Sequence, residues 1–307
     1  MTLFSRAVTA VTAAAPVERL ITGSRAGRAL ASRFVAGDDL ASGAEVATGL
    51  ATEGLKVSLD LLGEEVHDVE GANRAVEGYL QVLDVIGSNR LDANISVKLT
   101  QLGLAIREEM ARSAIDRLAE RAAEVGTTVT IDMEDSRYTE ATVDIYADAQ
   151  SRHGNLGVCL QAYLFRTPSD LERLEGLGGH IRLCKGAYRE PPTVAFQSRH
   201  EVDAAFRRLL MVLMRSPSTR PAIATHDPEM IRLALALAEE RDAGFEFQML
   251  YGVRPAEQRR LAAAGHDVRV YVPFGSSWYP YLTRRLAERP SNLGFFLRAL
   301  VSVAERT

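Results

Sequence analysis

Charged side chains end several short runs of the chain that have the composition of β-strands. Lys98 ends NISVK, Asp132 ends TTVTID and Arg182 lies within HIRLC. An ammonium, a carboxylate and a guanidinium that meet in one pocket could bind a small anionic substrate and hold a proton. A desolvated Lys98 beside Asp132 could instead form a Schiff base, as the lysines of barrel aldolases do. Both interpretations stay open on these residues alone.

Side-chain alternation predicts that these residues share one face. Successive strand residues point to opposite faces, so Val97 opposes Ser96 and Lys98. Sorting the later runs in the same way leaves one apolar set, which must pack under helices. The other set must point into a barrel, and it comprises Lys98, Asp132, Gln161, Arg182, Gln248 and Tyr271. Buried charges are costly unless they are paired or bind a ligand. We therefore predict a barrel built around a ligand, with a self-satisfied network of Lys98, Asp132 and Arg182 as the alternative.

Two adjacent arginines lie on the last predicted helix, in WYPYLTRRLAE. Tyr281 and Arg285 are spaced i,i+4, and so are Arg284 and Glu288. Neighbouring side chains on a helix diverge by about 100°, so both arginines reach one carboxylate only if the helix lies across the barrel mouth. The polar floor of the barrel favours such an anion clamp over an exposed charge ladder, which is the alternative interpretation.

Several common catalytic centres are missing from the sequence. His226, in ATHD, is a lone histidine, and the chain has no HxH, HExxH or CxxC motif, so we expect no metal. The chain contains no GxSxG motif, so the sequence gives no indication of a serine nucleophile. Cys159 and Cys184 lie in apolar runs, and we interpret them as small buried residues rather than reactive thiols. The spacing of Asp132 and Glu134 favours an ion-pair network over a paired acid and base.

Strand-like runs alternate with helical stretches from residue 55 onwards. The eight runs are LKVSLDLL, NISVKLT, TTVTIDME, LGVCLQAY, HIRLCKGAY, PAIATHD, FEFQMLYG and DVRVYVPFG. This alternation is typical of a parallel (β/α)8 barrel, the TIM-like α/β fold. An open doubly wound sheet is the competing interpretation, but no glycine-rich nucleotide turn follows the first run. We predict a distorted barrel over residues 51–307 whose last helix covers its mouth. A helical segment over residues 1–50, starting with an amphipathic helix, precedes it.

The composition is that of an ordinary globular protein and excludes several classes. The 307 residues are 47% hydrophobic and 25% charged, with a net charge of -4, which excludes wholesale disorder and collagen-like repeats. The two cysteines favour a reducing cytosol. No apolar run is long enough to span a membrane, and no basic stripe predicts nucleic-acid binding. Lysine occurs only at Lys56, Lys98 and Lys185, which favours specific roles for those that remain.

The motifs, taken in order, resemble those of one enzyme family. The chain carries ISVKLTQLG, TIDMEDS, QAYL, RLCKGAY, ATHD, FQMLYG and YPYLTRRLAE, a series similar to that of the proline dehydrogenases. Members of this family use FAD to oxidise L-proline to 1-pyrroline-5-carboxylate by hydride transfer, the first step of proline degradation to glutamate. The resemblance covers residues 55–300 and implies the monofunctional bacterial type, because no aldehyde dehydrogenase domain follows. A Schiff-base aldolase using Lys98 and a non-catalytic amino-acid-binding barrel are the alternatives.

The resemblance implies a role for each matching residue. Asp132 and Arg182 are similar to the catalytic pair beside the flavin. The residues that resemble the family's substrate contacts are Lys98, Tyr188, Leu250, Tyr271, Tyr281, Arg284, Arg285 and Glu288. Among them Lys98 and the two arginines match the carboxylate contacts, Glu288 matches the partner of those arginines, and the others match the walls around the proline ring. The residues that resemble the FAD contacts are Met133, Gln161, Arg182, Lys185, Gly186, Ala187, Thr225, His226 and Gln248.

The resemblance also implies partners and exposes one departure. It implies a quinone as electron acceptor, hence a cytoplasmic enzyme in peripheral contact with the inner face of the cell membrane. A tyrosine at position 271 implies proline rather than hydroxyproline as substrate. Where many members have an aromatic residue after GAY, this chain has Arg189 and Glu190, so the packing of that loop beside the substrate stays open.

Overall fold

The computed structural model describes residue 22, residues 24–63 and residues 66–288 of the chain. Its strands are β1 (Lys56–Leu61), β2 (Ala93–Lys98), β3 (Val129–Asp132), β4 (Leu156–Gln161), β5 (His180–Cys184), β6 (Arg220–Ala224), β7 (Glu246–Leu250) and β8 (Asp267–Phe274). Its helices are α1 (Arg25–Ala31), α2 (Leu40–Thr52), α3 (Val69–Asn89), α4 (Glu108–Glu124), α5 (Thr139–His153), α6 (Thr167–Leu174), α7 (Arg199–Arg215), α8 (Pro228–Ala238), α9 (Pro255–Ala263) and α10 (Trp278–Glu288). The amphipathic helix predicted at the start of the chain lies outside the described residues.

The eight strands form a closed, all-parallel barrel, which confirms the predicted (β/α)8 fold. Each strand pairs with the next in sequence, and β8 closes the sheet against β1, where Tyr271 lies opposite Ser58. Between β2 and β3, Lys98 lies opposite Asp132. Because the strands are parallel, their carboxyl ends meet at one end of the barrel. The register therefore brings residues that are distant in sequence to the same level of the interior.

The connecting helices begin at residues whose side chains satisfy free backbone N–H groups. Asp68 caps α3 by accepting a hydrogen bond from the Gly71 backbone N–H at 2.7 Å. Ser198 and Glu201 form a reciprocal capping box on α7, and Asp227 caps α8. Local sequence thus determines where each of these helices starts, and with it the length of the loop that precedes the helix.

The apolar core lies between the strands and the helices, as the alternation within the strands predicts. Ile95, Val97, Ile131 and Val158 have no exposed surface, and they share one cluster with helix residues such as Leu118 of α4. Burying one such side chain stabilises a fold by about 1.5–3 kcal/mol. Since this outer layer carries the hydrophobic stabilisation, the barrel interior can hold polar residues.

The segment before the barrel packs against the helix that ends the described chain. α2 lies on β1 and β8, so closely that a Cβ at Gly43 would stand 3.0 Å from the ring of Phe274. Leu30 of α1 and Tyr281 of α10 belong to one apolar cluster, which also packs against Tyr271 of β8. α10 therefore covers the mouth beside the end of β8. The division of the chain at residue 50 stays a prediction.

A group of polar side chains lies at the amino-terminal end of the barrel interior. Burial would raise the pKa of Glu246, but the charge and the hydrogen bonds of Arg269, at 2.8 and 3.1 Å, lower it to about 2. The His180 ring stands over Gly157, where a Cβ would lie 2.1 Å from its Nε2. The same nitrogen lies 2.7 Å from Thr130 Oγ1. Burial lowers the pKa of His180 to about 3.

We expect His180 to make the fold sensitive to mild acid. An unfolded histidine has a pKa of about 6.5, so below that pH the unfolded chain takes up a proton that the folded His180 does not accept. The free energy of unfolding should therefore fall by up to about 1.4 kcal/mol per pH unit as the pH drops from about 6 to 4. His180→Gln should flatten this slope when urea unfolding is measured across that range. His200→Gln, which removes an exposed histidine, is the control, and an equal flattening there would contradict the assignment.

Candidate active site

The carboxylate of Asp132 is the centre of a buried polar cluster inside the barrel. Its Oδ1 accepts hydrogen bonds from Arg182 Nη1 and, at 3.3 Å, from Ser96 Oγ. Its Oδ2 accepts a hydrogen bond of 2.7 Å from the Tyr271 hydroxyl and lies 3.8 Å from Lys98 Nζ. The alternation in the strands predicted that these side chains point inward, and the contacts confirm it.

Asp60 of β1 is a second carboxylate in this cluster, and the sequence analysis missed it. It has no exposed surface, and its two carboxylate oxygens lie 3.0 and 3.2 Å from Lys98 Nζ, closer than those of Asp132. The Tyr79 hydroxyl adds a long hydrogen bond of 3.4 Å. Burial raises the pKa of Asp60, Lys98 opposes the shift and Asp132 adds to it. The alternation of KVSLDL, which sets Ser58 and Asp60 against the apolar residues, is the signal that would have found it.

Arg182 is held rigidly on several sides. Its Nε donates to Gln248 Oε1, its Nη1 to Asp132, and its Nη2 makes a long contact of 3.4 Å with Ser58 Oγ. The guanidinium carbon lies 5.3 Å from the centre of the Tyr271 ring. A guanidinium fixed in this way presents its positive charge in one orientation, which favours electrostatic stabilisation of negative charge that develops beside it.

Tyr271 is a hydrogen-bond donor within the cluster rather than a proton acceptor. Burial, together with the negative charges of Asp132 and Asp60, raises the pKa of its hydroxyl well above the ordinary tyrosine value. The hydroxyl therefore keeps its proton and donates a hydrogen bond to Asp132. Its aromatic ring packs against the apolar cluster under α10, so this residue connects the polar floor to the covering helix.

The loop after β5 carries Lys185, Gly186 and Ala187. Lys185 Nζ lies 2.5 Å from Asp203 of α7 and 2.7 Å from Asp227, on the helix-facing side that alternation predicts. Gly186 has a φ of +108°, and a Cβ there would lie 2.3 Å from the ring of Tyr163. Only glycine fits this turn without displacing the tyrosine.

Gln161 is the last residue of β4, and the nitrogen of its side-chain amide forms a hydrogen bond. Its Nε2 donates to the Met133 carbonyl at 3.2 Å. Within the described part of the chain, its Oε1 is buried and meets no hydrogen-bond donor. Leaving a buried acceptor unsatisfied costs about 1–3 kcal/mol, so this oxygen fits a ligand that brings an N–H or O–H group.

The ends of β6 and β7 are joined through a histidine. His226 Nε2 accepts a hydrogen bond of 3.0 Å from the backbone N–H of Leu250, so in the neutral ring the proton is on Nδ1. The Thr225 hydroxyl accepts a hydrogen bond of 3.1 Å from the Asp227 backbone N–H. The bond between His226 and Leu250 fixes the two strand ends relative to each other.

The residues predicted to clamp an anion lie on α10. Arg284 and Arg285 are half-buried, Tyr281 is buried, and the guanidinium carbon of Arg285 lies 5.3 Å from the Tyr281 ring centre. The side chain of Glu288 lies outside the described residues. Leu250 ends β7 and Tyr188 lies in the loop after β5. Their predicted contacts with substrate stay predictions.

The loop with the departure from the family pattern is tied to its neighbour. Glu190 accepts hydrogen bonds from Ser136, at 2.7 Å from its backbone N–H and 2.5 Å from its hydroxyl. The carboxylate of Glu134 accepts in the same way from Thr100, at 2.9 Å from the backbone N–H and 2.5 Å from the hydroxyl. Each carboxylate thus braces a loop at the mouth. In the described ranges, no group of three or more His, Cys, Asp or Glu side chains forms a candidate metal centre.

We expect Asp60→Asn to be strongly destabilising, because it leaves the buried Lys98 ammonium without its nearer counter-charge. Breaking one partner of a buried ion pair costs about 3–5 kcal/mol, and urea unfolding measures this loss. Asp84→Asn is the matched control, since it breaks the 2.6 Å pair with Arg121 on the surface and should cost far less. Equal losses in the two variants would show that the interior pair contributes nothing beyond a surface pair.

The chain is similar to known proteins over most of its length. A family model described as proline dehydrogenase matches residues 44–298. Proline dehydrogenase 1 of Bacillus subtilis subsp. natto is 38% identical over 282 residues, which cover 91% of this chain and 92% of that protein. The proline dehydrogenase of Deinococcus radiodurans is 34% identical over 281 residues, which cover 89% of this chain and 90% of that protein.

A solved structure shares the fold. Proline utilization A (PutA) from Bdellovibrio bacteriovorus, inactivated by N-propargylglycine, superposes with a TM-score of 0.79 over 85% of this chain, at 21% sequence identity. This chain corresponds to 32% of that longer protein. The family model and the relatives at 34–38% identity lead to one conclusion. This chain belongs to the proline dehydrogenase family.

Proposed function

We propose that this enzyme oxidises L-proline to 1-pyrroline-5-carboxylate with FAD as hydride acceptor. The observation that carries the proposal is the buried cluster of Lys98, Asp132, Arg182 and Tyr271 at the carboxyl-terminal side of the barrel, in a chain of the proline dehydrogenase family. Barrel enzymes carry out their chemistry at this end. The Schiff-base alternative is less favoured, because Lys98 is held as an ammonium by two carboxylates.

The residues present fit FAD. The buried Oε1 of Gln161 suits an N–H donor of the flavin ring system. The residues that would hold the cofactor are Met133, Gln161, Arg182, Lys185, Gly186, Ala187, Thr225, His226 and Gln248. FAD, when bound, supplies the acceptor for the hydride that leaves C5 of proline.

Substrate binding follows from the distribution of charge. The carboxylate of proline needs cations, and Arg284, Arg285 and Lys98 supply them in the proposed complex, with Glu288 holding the two arginines. The rings of Tyr271 and Tyr281, together with Tyr188 and Leu250, form the walls around the pyrrolidine ring. A helix over the mouth excludes water from so small a substrate, which strengthens each electrostatic interaction inside.

The chemical step uses Arg182 and Asp132 as a fixed pair. Arg182 brings a positive charge that stabilises the negative charge arriving with the hydride. Asp132 orients Arg182 and offsets the positive charge of Arg182 before the substrate binds. Because Asp132 already accepts hydrogen bonds from Arg182, Tyr271 and Ser96, we assign it to positioning and charge balance rather than to proton abstraction.

The electrons must then leave the site. The family supports a quinone as acceptor, and with it a cytoplasmic enzyme that contacts the membrane surface peripherally. None of the helices in the described ranges is both long and apolar enough to cross a membrane.

The absorption spectrum of the purified protein tests the proposal directly. We expect a flavin spectrum that bleaches when L-proline is added without oxygen, because hydride transfer reduces the cofactor. D-proline at the same concentration is the control. A protein that stays colourless after FAD is supplied would overturn the proposal. A mass gain after treatment with borohydride and a carbonyl compound, absent in Lys98→Arg, would then identify Lys98 as a Schiff-base former.

We expect Arg284→Ala and Arg285→Ala to weaken proline binding. Removing one partner of a buried charge pair costs about 2–5 kcal/mol, and the loss should raise KM while the limiting rate of flavin reduction changes less. Arg259→Ala, which breaks a surface pair with Glu53, is the control and should leave KM unchanged. A normal KM in both α10 variants would refute the carboxylate clamp.

A further inference from the structure

The two cysteines of the chain meet inside the barrel. Cys159 of β4 and Cys184 of β5 lie on neighbouring strands with their sulfurs 3.6 Å apart, and both are free thiols. In the strand register Cys159 is opposite Arg182, and Cys184 is opposite Gln161. The thiol pair therefore lies between two side chains of the candidate active site, on the inward-facing set of both strands.

The surroundings of the pair shift the pKa values of the two thiols in opposite directions. The Cys159 thiol donates a hydrogen bond to the Cys184 sulfur, which lowers the pKa of Cys184 and raises that of Cys159. A hydrogen bond from the backbone N–H of Gly186 and the positive charge of Arg182 lower the pKa of Cys184 further. Thiolate character, and not thiol content, determines the reactivity of a cysteine.

The distance favours a bridging atom over a disulfide. A disulfide requires the two sulfurs to approach to about 2.05 Å, so both side chains would have to leave their present positions. A single atom that forms bonds of about 2.3 Å to both sulfurs, the length of a zinc–thiolate bond, spans 3.6 Å at an angle near 100° with the strands in place. The geometry thus suits an element with bond angles close to the tetrahedral value.

The protein ligands available around the two sulfurs determine which chemical element could bridge them. Four-coordinate zinc needs further protein ligands, and no third His, Cys, Asp or Glu joins the pair in a candidate metal centre among the residues that the structure describes. Trivalent arsenic with one organic group needs only two sulfurs. We propose that Cys159 and Cys184 form a dithiol site for trivalent arsenic compounds of this kind, which enter through the barrel mouth.

The reaction balances without an oxidant. In R–As=O the arsenic–oxygen bond breaks, two arsenic–sulfur bonds form, and the oxygen leaves as water with the two thiol protons. Arsenic stays trivalent, and both sulfurs keep their oxidation state. Cys184 attacks first because it is the more exposed of the two thiols and its pKa is the lower one, and Cys159 closes the ring.

The test uses phenylarsine oxide on the full chain as purified, followed by intact-mass measurement. We expect one adduct per chain, with the mass of the reagent less one water, that survives excess monothiol and is removed by a dithiol. Since the chain has no other cysteine, Cys159→Ser and Cys184→Ser each eliminate two-thiol chemistry. Loss of one of two attachments should weaken binding by roughly 100-fold or more. Circular dichroism confirms that the variants are folded.

Two results would overturn the proposal. One is a wild-type chain with no monothiol-resistant adduct, and the other is an equally resistant adduct in the single variants. Peroxide treatment tests the geometric argument, since a rapid mass loss of two hydrogens would show that the sulfurs close as a disulfide.

A measurement on protein saturated with FAD tests the dithiol site and the proposed function separately. Formation of the adduct does not itself depend on the proposed function. We expect bound FAD to slow adduct formation, because Arg182 and Gln161 flank the thiols. An adduct that forms at an unchanged rate would leave the dithiol site standing and would overturn the placement of the cofactor beside it.

Discussion

The structure depends on the mutual compensation of four charges inside a closed barrel. Lys98 and Arg182 are buried cations, and Asp60 and Asp132 are buried carboxylates that contact them. Each charge alone would cost several kcal/mol in such an interior. Together their formal charges cancel, and the hydroxyl of Tyr271 satisfies a remaining carboxylate lone pair. The four charged side chains are therefore stable in the interior only together. They come from four different strands and meet at one level of the barrel.

This constraint changes where the fold obtains its stability. The interior of an ordinary barrel is filled with layers of branched apolar side chains. Here polar contacts continue along the axis, since Gln248 connects Arg182 to Glu246, and Glu246 pairs with Arg269 near the amino-terminal end. The apolar core is displaced to the layer between strands and helices.

The sequence predicted what depends on local periodicity. Alternation within a strand assigns a face to each side chain, so the inward direction of Lys98, Asp132 and Arg182 followed from the residues themselves. Contacts across strands depend on register, which no single strand encodes. For that reason Asp132 was expected as the partner of Lys98, whereas Asp60 lies closer. The alternation of the first run, KVSLDL, contains the signal that places Asp60 on the inward face.

Contacts between loops are harder to predict from the sequence than contacts between strands. The bond between Glu190 and Ser136 joins segments that follow different strands, and its formation depends on the path of two irregular loops. The proximity of Cys159 and Cys184 has a similar origin, because each cysteine alone is compatible with an ordinary apolar run. Sequence reasoning thus recovers the direction of a side chain more readily than its partner.

Charge balance also separates the tasks of the barrel and of the covering helix. Because the four formal charges at the floor cancel, a bound carboxylate adds a negative charge that Lys98, already paired with Asp60, does not balance by itself. The additional cations are Arg284 and Arg285, and they belong to α10 rather than to the barrel. In the proposed complex the substrate carboxylate is therefore neutralised by the same element that closes the mouth. In that proposal, one helix both neutralises the substrate carboxylate and covers the mouth of the barrel.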